Sequence, residues 1–247
     1  VSGPAVYLNS RIDDATGERV PEALLPAQDA LIRSRARLKV ILGGWGSGKT
    51  RAAVIELLLV ALENPWTPAY QSGAPFSLVI GLTRDVLRDS AHAELRQVCP
   101  PELLLRETQV PWQITLANGH LIKFRTMKGN VEGGSCCAVL LDEAHKLPSV
   151  IPFLNYQARV RDPKARRHVM IVSGLPEDGW LRETFATADS ADRLVVFART
   201  EDNHHLPPHV VAQLKASASE KSAIKYLEGR WMPADRVIYF EWSPARH

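Results

Sequence analysis

Apolar residues in this chain form short runs, and longer segments with helical spacing lie between them. A strand buried on both faces of a sheet reads as a continuous apolar run of about four to eight residues. Such runs predict strands at 38–42, 77–82, 138–141, 168–172 and 194–197. Helical spacing predicts helices at 26–35, 50–63, 86–98 and 150–160, with two helical pieces within 210–227. This alternation predicts parallel βαβ units in a three-layer α/β fold.

Three segments depart from this alternation. Asn118-Gly119 lies between apolar segments at 112–116 and 120–124, and this dipeptide is the strongest short-range signal for a β-hairpin. Residues 1–22 are polar and turn-rich, without clear periodicity. The segment after Gly179 is less regular, apart from a strand-like run at 237–242. We therefore predict a core domain at residues 1–178 and a small lid or linker subdomain at 179–247.

Composition narrows the class of protein only modestly. Hydrophobic residues make up 45% and charged residues 23% of the chain, as is usual for a soluble globular protein. A net charge of +3 favours an anionic partner, yet it fits a mildly basic cytosolic enzyme equally well. The three cysteines have neither zinc-site spacing nor a disulfide framework, which indicates a reducing compartment. The longest apolar stretch, 52–62, is too short to span a membrane, and the missing initiator methionine suggests a trimmed chain.

The first chemical motif is a glycine-rich loop that fits the phosphate-binding pattern G-x-x-x-x-G-K-[ST], between a predicted strand and a predicted helix. Backbone N–H groups of such a loop surround phosphate oxygens, and the following helix adds its positive dipole end. We expect Lys49 to reach the β- and γ-phosphates and the Thr50 hydroxyl to bind Mg²⁺. The loop consists of Gly43, Gly44, Trp45, Gly46, Ser47, Gly48, Lys49 and Thr50.

The second motif is an acidic pair that lies 93 residues after Lys49, at the end of the predicted strand 138–141. The carboxyl ends of parallel strands meet at one edge of a sheet, so this pair is expected beside the phosphate-binding loop. Asp142 would hold Mg²⁺, and Glu143 would orient and deprotonate the water that attacks the γ-phosphate. Considered without the phosphate-binding loop, this acidic pair could equally well only cap a helix that follows the strand.

Weaker features have equally simple structural explanations. Gln28 precedes the first strand, where its amide could contact adenine or simply cap a helix. Ser173 ends the strand after the acidic one, where it could sense the γ-phosphate or form an ordinary turn. His204, His205 and His209 superficially resemble a metal cluster, but Pro207-Pro208 and the spacing favour a surface turn.

These motifs together resemble the ATPase domain of the large terminase subunit, the DNA-packaging motor of tailed bacteriophages. The resemblance extends over residues 25–239. It implies a P-loop NTPase of the RecA-like (ASCE) type, with a central mostly parallel sheet, and it implies that Gln28 contacts adenine and Ser173 couples hydrolysis to movement. It rests on the segments 25–28, 43–50, 140–144, 173–176, 179–180, 200–203, 206–207 and 227–231.

The chain departs from this family at two positions. Many members carry an arginine in the P-loop where this chain has Trp45, and an Arg-Gly before the acidic strand where it has Glu132-Gly133. The latter arginine acts as a finger on a neighbouring subunit's nucleotide, where it stabilises charge on the transferred phosphoryl group. The cations that could replace it, each of which could equally be a solvated surface charge, are Arg125, Lys128, Arg159 and Arg161.

The resemblance also implies partners. It predicts ATP and Mg²⁺ as cofactors, double-stranded DNA bound through its phosphates, the portal protein, the small terminase subunit and a homo-oligomeric ring in the host cytoplasm, without a membrane. Arg84, Arg88 and Arg96 are candidate DNA contacts, with solvated helix charges as the alternative. The chain stops at His247, before any cluster of nuclease carboxylates, so we expect no DNA cleavage from it.

Two other classes of protein share part of this pattern. Residues 142–145 spell DEAH, the motif of one class of superfamily 2 helicases, but the arginine-rich motif and second motor lobe of such enzymes are missing from the sequence. A non-catalytic, nucleotide-gated docking module is the second alternative. The intact Glu143 argues against it.

Overall fold

The computed structural model describes residues 8–13, 15–71, 73–127, 134–186 and 190–232. Eight strands form one sheet in the order β10-β3-β9-β8-β4-β7-β6-β5. The six strands from β10 to β7 are parallel to one another, and β6 and β5 extend the sheet as an antiparallel meander. A mostly parallel sheet therefore forms the centre of the fold.

The strands and helices have the following bounds. The strands are β1 Ser10–Ile12, β2 Arg19–Pro21, β3 Leu38–Gly43, β4 Phe76–Gly81, β5 Leu104–Gln109, β6 Trp112–Leu116, β7 Leu121–Thr126, β8 Ala138–Leu141, β9 Val169–Gly174 and β10 Arg193–Ala198. The helices are α1 Pro26–Arg33, α2 Lys49–Glu63, α3 Arg84–Leu87, α4 Ala93–Val98, α5 Ile151–Gln157, α6 Trp180–Phe185, α7 Pro208–Ser217 and α8 Glu220–Tyr226. A π-helical turn, Arg88–His92, joins α3 to α4.

Both faces of the sheet are covered, which explains why its central strands are apolar throughout. All six residues of β3 are buried. Ile41 packs into the core beneath α1, α2 and α4, whereas its neighbours Val40 and Leu42 pack into the core beneath α5 and α6. Successive side chains of a strand point to opposite faces, so a strand between two helical layers needs an apolar residue at nearly every position.

The predicted alternation of strands and helices and the three-layer fold class are confirmed. The Asn118-Gly119 hairpin is formed by β6 and β7, and strand β8 has the predicted bounds. The predicted helix 86–98 is interrupted by its π-helical turn. The sequence analysis missed β5 and the β1–β2 hairpin, since both mix polar and apolar residues. The predicted strand at 237–242 lies outside the described residues.

The segment predicted as a lid contributes to the central sheet. Strand β10 pairs in parallel with β3 from Arg193↔Leu38 to Ala198↔Gly43. The boundary at residue 178 stays a prediction, but the sheet itself continues beyond it. Within the described part of the chain, none of the helices has the length and apolar character needed to cross a membrane.

Candidate active site

Three neighbouring strands bring the predicted site residues together. The glycine-rich loop follows β3, Ser173 lies in β9 and Asp142 follows β8, and these strands are adjacent and parallel in the order β3-β9-β8. Their carboxyl ends therefore meet at one edge of the sheet. Residues far apart in sequence form a single site here because of the strand order.

The glycine-rich loop has the backbone conformation that its glycines permit. Gly46 and Gly48 have φ angles of +65° and +79°, in the left-handed region that other residues rarely occupy. Lys49 begins α2, and its buried Nζ atom lies 3.5 Å from Gly44 O. The amino end of α2 and the loop therefore form a cradle of the kind that binds phosphate groups.

The outer part of the loop is held by the carboxyl-terminal segment. The Trp45 ring stacks on Tyr226 of α8, with ring centroids 4.3 Å apart. Trp45 N–H donates to Tyr226 O over 2.8 Å, and Thr200 Oγ1 donates to Trp45 O over 2.8 Å. Asn203 Nδ2 also donates to Gly46 O over 2.6 Å. Trp45 thus packs against α8, although half of its surface stays exposed.

Gln28 is fixed to the same loop by both ends of its amide. Its Oε1 atom accepts a hydrogen bond from Leu25 N–H (3.0 Å), and its Nε2 atom donates to Gly48 O (3.1 Å). An amide nitrogen can donate twice and an amide oxygen can accept twice, so one N–H and one lone pair remain for another partner. Gln28 therefore positions the loop and retains one donor and one acceptor for hydrogen bonds to a nucleotide base.

Asp142 is almost fully buried and is surrounded by hydroxyl groups. Its Oδ1 atom accepts a 2.6 Å hydrogen bond from Ser173 Oγ and lies 3.5 Å from Thr50 Oγ1. Its Oδ2 atom accepts a 3.1 Å hydrogen bond from Ser90 Oγ in the π-helical turn. A carboxylate beside a threonine hydroxyl provides the hard oxygen ligands that Mg²⁺ prefers, so these two residues fit that ion.

Glu143 follows with an unusual backbone conformation. Its φ and ψ angles of 55° and 41° place it in the left-handed region, where a residue with a side chain is strained. Its carboxylate stays partly exposed, with 28% of the side-chain surface accessible. Burial raises the pKa of this carboxyl above its ordinary value, although the nearby Lys49 ammonium acts in the opposite direction. A partly desolvated carboxylate at the site edge can accept a proton.

His145 lies behind this carboxylate. Its side chain is 1% exposed, and burial lowers its pKa to about 4, so the ring is neutral at pH 7. Its Nδ1 atom accepts a 3.2 Å hydrogen bond from Leu175 N–H, which leaves the single ring proton on Nε2. Nε2 lies 3.4 Å from Glu143 Oε2. His145 thus stands between Glu143 and the segment after β9.

A cavity of about 850 Å³ opens beside the loop. Its wall includes P-loop residues, Gln28 with Leu25, and residues of the β1–β2 hairpin. Asn203 and Leu206 complete one side. The cavity thus connects the predicted phosphate cradle with the residue predicted to contact adenine.

The predicted cations do not all lie at this edge. Arg125 is exposed near the end of β7, opposite Ile80 of β4, and so lies towards the carboxyl edge. Arg159 O accepts a hydrogen bond from Cys136 N–H, at the amino end of β8, so Arg159 and Arg161 lie towards the opposite edge from Asp142. Lys128 and Glu132-Gly133 lie outside the described residues.

The arginines predicted to contact DNA have side-chain partners within the chain. All three are exposed on the helical segment after β4. Arg84 also lies 5.0 Å from the centre of the Trp112 ring. Their polar partners are Gln109 for Arg84, Asp85 and Asp89 for Arg88, and Glu107 for Arg96.

Several residues of this edge were missed as site residues by the sequence analysis. Thr200 and Asn203 occurred only within a family motif, and His145 only as a letter of DEAH. Ser90 and Tyr226 carry no local signal in the sequence. Ser90 is 52 residues from its partner Asp142, and Tyr226 is 181 residues from its partner Trp45, so both contacts depend on helix packing.

Comparison with known proteins identifies the family. A sequence model described as "Phage terminase large subunit" matches residues 35–228, most of the chain. No curated protein sequence matches. The family match decides against the helicase alternative.

Solved structures agree with this match at the level of the fold. The large terminase of a thermophilic bacteriophage in complex with ADP has a TM-score of 0.69 and 14% identity, covering 85% of this chain and 54% of that one. The complex of the same terminase with ATP-gamma-S has a TM-score of 0.68 and 12% identity, covering 85% and 53%. The ATPase domain of the Thermus phage P74-26 large terminase has a TM-score of 0.63 and 14% identity, covering 90% and 99%. The chain thus spans about half the length of the thermophilic bacteriophage terminase.

Proposed function

This chain belongs to the phage terminase large subunit family, and on that premise we propose that it is the ATP-hydrolysing motor domain of a DNA-packaging terminase. The observation that carries the proposal is the meeting of the P-loop, Asp142 and Glu143 at one sheet edge, beside a cavity large enough for a nucleotide. The thermophilic bacteriophage terminase, which shares this fold, has been solved with ADP and with ATP-gamma-S.

The nucleotide would lie along the cavity wall. The P-loop N–H groups and Lys49 would hold the phosphates, and the remaining N–H and lone pair of Gln28 would contact the adenine edge. Thr50 and Asp142 would hold Mg²⁺. The ion, when bound, neutralises charge on the phosphate oxygens.

Hydrolysis needs a group that takes a proton from water, and Glu143 is suited to it. Its carboxylate is partly exposed at the site edge, and its raised pKa increases its affinity for a proton. Ser173 donates a 2.6 Å hydrogen bond to Asp142, so a displacement of that carboxylate would move Ser173 as well. The segment after β9 would then be displaced with Ser173 and would move relative to the core.

Stabilisation of the transferred phosphoryl group needs one more cation. Trp45 occupies a P-loop position where relatives often have arginine. Arg125 is the best-placed candidate of the described residues, because it is exposed towards the carboxyl edge and could reach a neighbouring subunit. We therefore expect a homo-oligomeric ring in which a neighbour completes each site.

The remaining partners follow from the packaging role. Double-stranded DNA would be held through its phosphates, so its binding would weaken steeply with salt and would not depend on sequence. Arg84, Arg88 and Arg96 are the proposed contacts. The portal protein and the small terminase subunit would dock on the assembled ring in the host cytoplasm.

The test is the rate of Mg²⁺-dependent ATP hydrolysis for wild type, Lys49→Ala and Glu143→Gln. We expect wild type to hydrolyse ATP, Lys49→Ala to bind it poorly, and Glu143→Gln to bind it normally and lose hydrolysis by at least about 100-fold. Specific activity should rise with protein concentration if a neighbour completes the site. Unchanged hydrolysis by Glu143→Gln would refute Glu143 as the group that takes the proton, whereas ATP binding without hydrolysis by the wild-type protein would favour the nucleotide-gated docking module.

A further inference from the structure

The His145 side chain is buried at the site edge, and the hydrolysis steps proposed above give it no role. His145 Nε2 is enclosed by protein and, among the described residues, makes no hydrogen bond of good geometry. A charged atom, Glu143 Oε2, lies 3.4 Å from it. A buried donor without a partner is rare in a folded protein, and such groups occur where a functional arrangement requires them.

The orientation of the ring is set from its other side. Nδ1 accepts from Leu175 N–H over 3.2 Å, so the proton of the neutral ring is on Nε2 and faces the carboxylate. Gly174 permits this approach, since a Cβ atom there would lie 3.1 Å from Nδ1. The ring therefore touches the carboxylate and the backbone that follows β9 at the same time.

The segment after β9 is in turn linked to the carboxyl-terminal helix. Glu177 forms a 2.9 Å ion pair with Lys225 of α8, next to the residue on which Trp45 stacks. Movement of the segment 175–177 would therefore reach both His145 and the P-loop. The backbone of Glu143 is strained, and a strained conformation persists only where surrounding contacts hold it. The position of the Glu143 side chain therefore depends on such contacts.

We propose that His145 is a positioning residue for ATP hydrolysis, which orients the Glu143 carboxylate through Nε2–H and ties that orientation to the backbone at Leu175. The proposal rests on the hydrolytic role of Glu143. The 3.4 Å separation shortens to a hydrogen bond when substrate closes the site, as catalytic contacts commonly do. In this role His145 acts through Glu143 and not directly on the nucleotide.

Two substitutions separate the two contacts of the ring. In His145→Gln, the amide nitrogen lies about where Nε2 was and keeps a donor for Glu143. In His145→Asn, the amide oxygen lies about where Nδ1 was and keeps an acceptor for Leu175 N–H, while the donor is lost. His145→Ala removes both contacts. His209→Ala, an exposed change on α7, is the matched control.

The readouts are kcat and KM for ATP, the affinity for fluorescent ADP and the thermal unfolding midpoint. We expect kcat to fall about 10- to 100-fold in the Ala and Asn variants, with KM and ADP affinity within about 2-fold of wild type. We expect the Gln variant to retain kcat within about 3-fold. The His209→Ala control should match wild type.

Three results would overturn the proposal. The first is wild-type kcat in both the Ala and Asn variants. The second is equal loss in the Gln and Asn variants, which would mean that packing rather than the donor matters. The third is a raised KM with unchanged kcat, the signature of a binding role. A wild-type rate of hydrolysis in Glu143→Gln, measured in parallel, would instead refute the hydrolytic role of Glu143 on which the proposal rests, and absence of hydrolysis by the wild-type protein would refute the proposed function.

Discussion

Replacement of Lys39 by methionine is expected to destabilise the fold around the P-loop. Lys39 lies in β3, and its ammonium group is completely buried with the Glu56 carboxylate of α2, 2.6 Å away. Its Nζ atom also donates to Leu31 O of α1 over 2.8 Å. Methionine has a similar shape but no charge, so the variant would leave Glu56 without its main partner.

The size of the effect follows from the remaining contacts. Removing one partner of a buried ion pair costs about 3–5 kcal/mol, because the other charge stays buried and uncompensated. Arg167 also bonds to Glu56, so we expect a value at the lower end, about 3 kcal/mol. That lowers the folding equilibrium constant by about two orders of magnitude. It would lower Tm by about 6–12 °C in a chain of this size.

Urea denaturation and calorimetry would measure this loss. The double variant Lys39→Met/Glu56→Leu should recover most of it, because a well-packed apolar pair can replace a buried ion pair at little cost. Arg37→Ala, which breaks an exposed pair with Asp192, should leave the midpoint unchanged. The reasoning is refuted if the single variant is as stable as wild type, or if the double variant is no more stable than the single one.

Two further predictions concern pH and the P-loop. Burial lowers the pKa of His120 to about 4, below its ordinary 6.5. The contribution of neutral His120 to folding stability is therefore complete above pH 6.5 and is lost as pH falls towards 4, because the unfolded chain binds the proton first. Urea denaturation at pH 7 and at pH 4.5 should show a loss of unfolding free energy that is about 2.4 kcal/mol smaller in His120→Gln than in wild type. Equal losses in the two proteins would contradict this. Tyr226→Ala removes the ring that supports Trp45 and should weaken binding of fluorescent ADP by about 2- to 10-fold, whereas Tyr226→Phe should not. Wild-type affinity in the alanine variant would contradict the supporting role.

Elements with strong periodicity were predictable because their pattern is imposed by burial. Strands β3, β8 and β9 lie between two helical layers, so almost every residue must be apolar and the run is evident in the sequence. Strand β5 lies at the edge of the sheet and carries Arg106 and Glu107, so its composition resembles that of a loop. The π-helical turn at Arg88–His92 was also unpredictable, since the surrounding residues favour an unbroken helix.

The chemical motifs of the site were predictable for a different reason. Phosphate binding needs glycines at fixed spacing before a lysine, and the local backbone conformation at Gly46 and Gly48 follows directly from them. The distant supports have no such local requirement. Ser90, His145 and Tyr226 serve the site through contacts that depend on how helices and loops pack.

The sequence by itself determined the P-loop, the acidic pair and the alternation of strands and helices, because each is a local pattern with a local physical cause. Only the tertiary structure decided that β9 lies between β3 and β8, which brings Ser173 to Asp142. It also decided that α8 packs on Trp45, since strand order and helix docking depend on contacts between residues far apart in sequence.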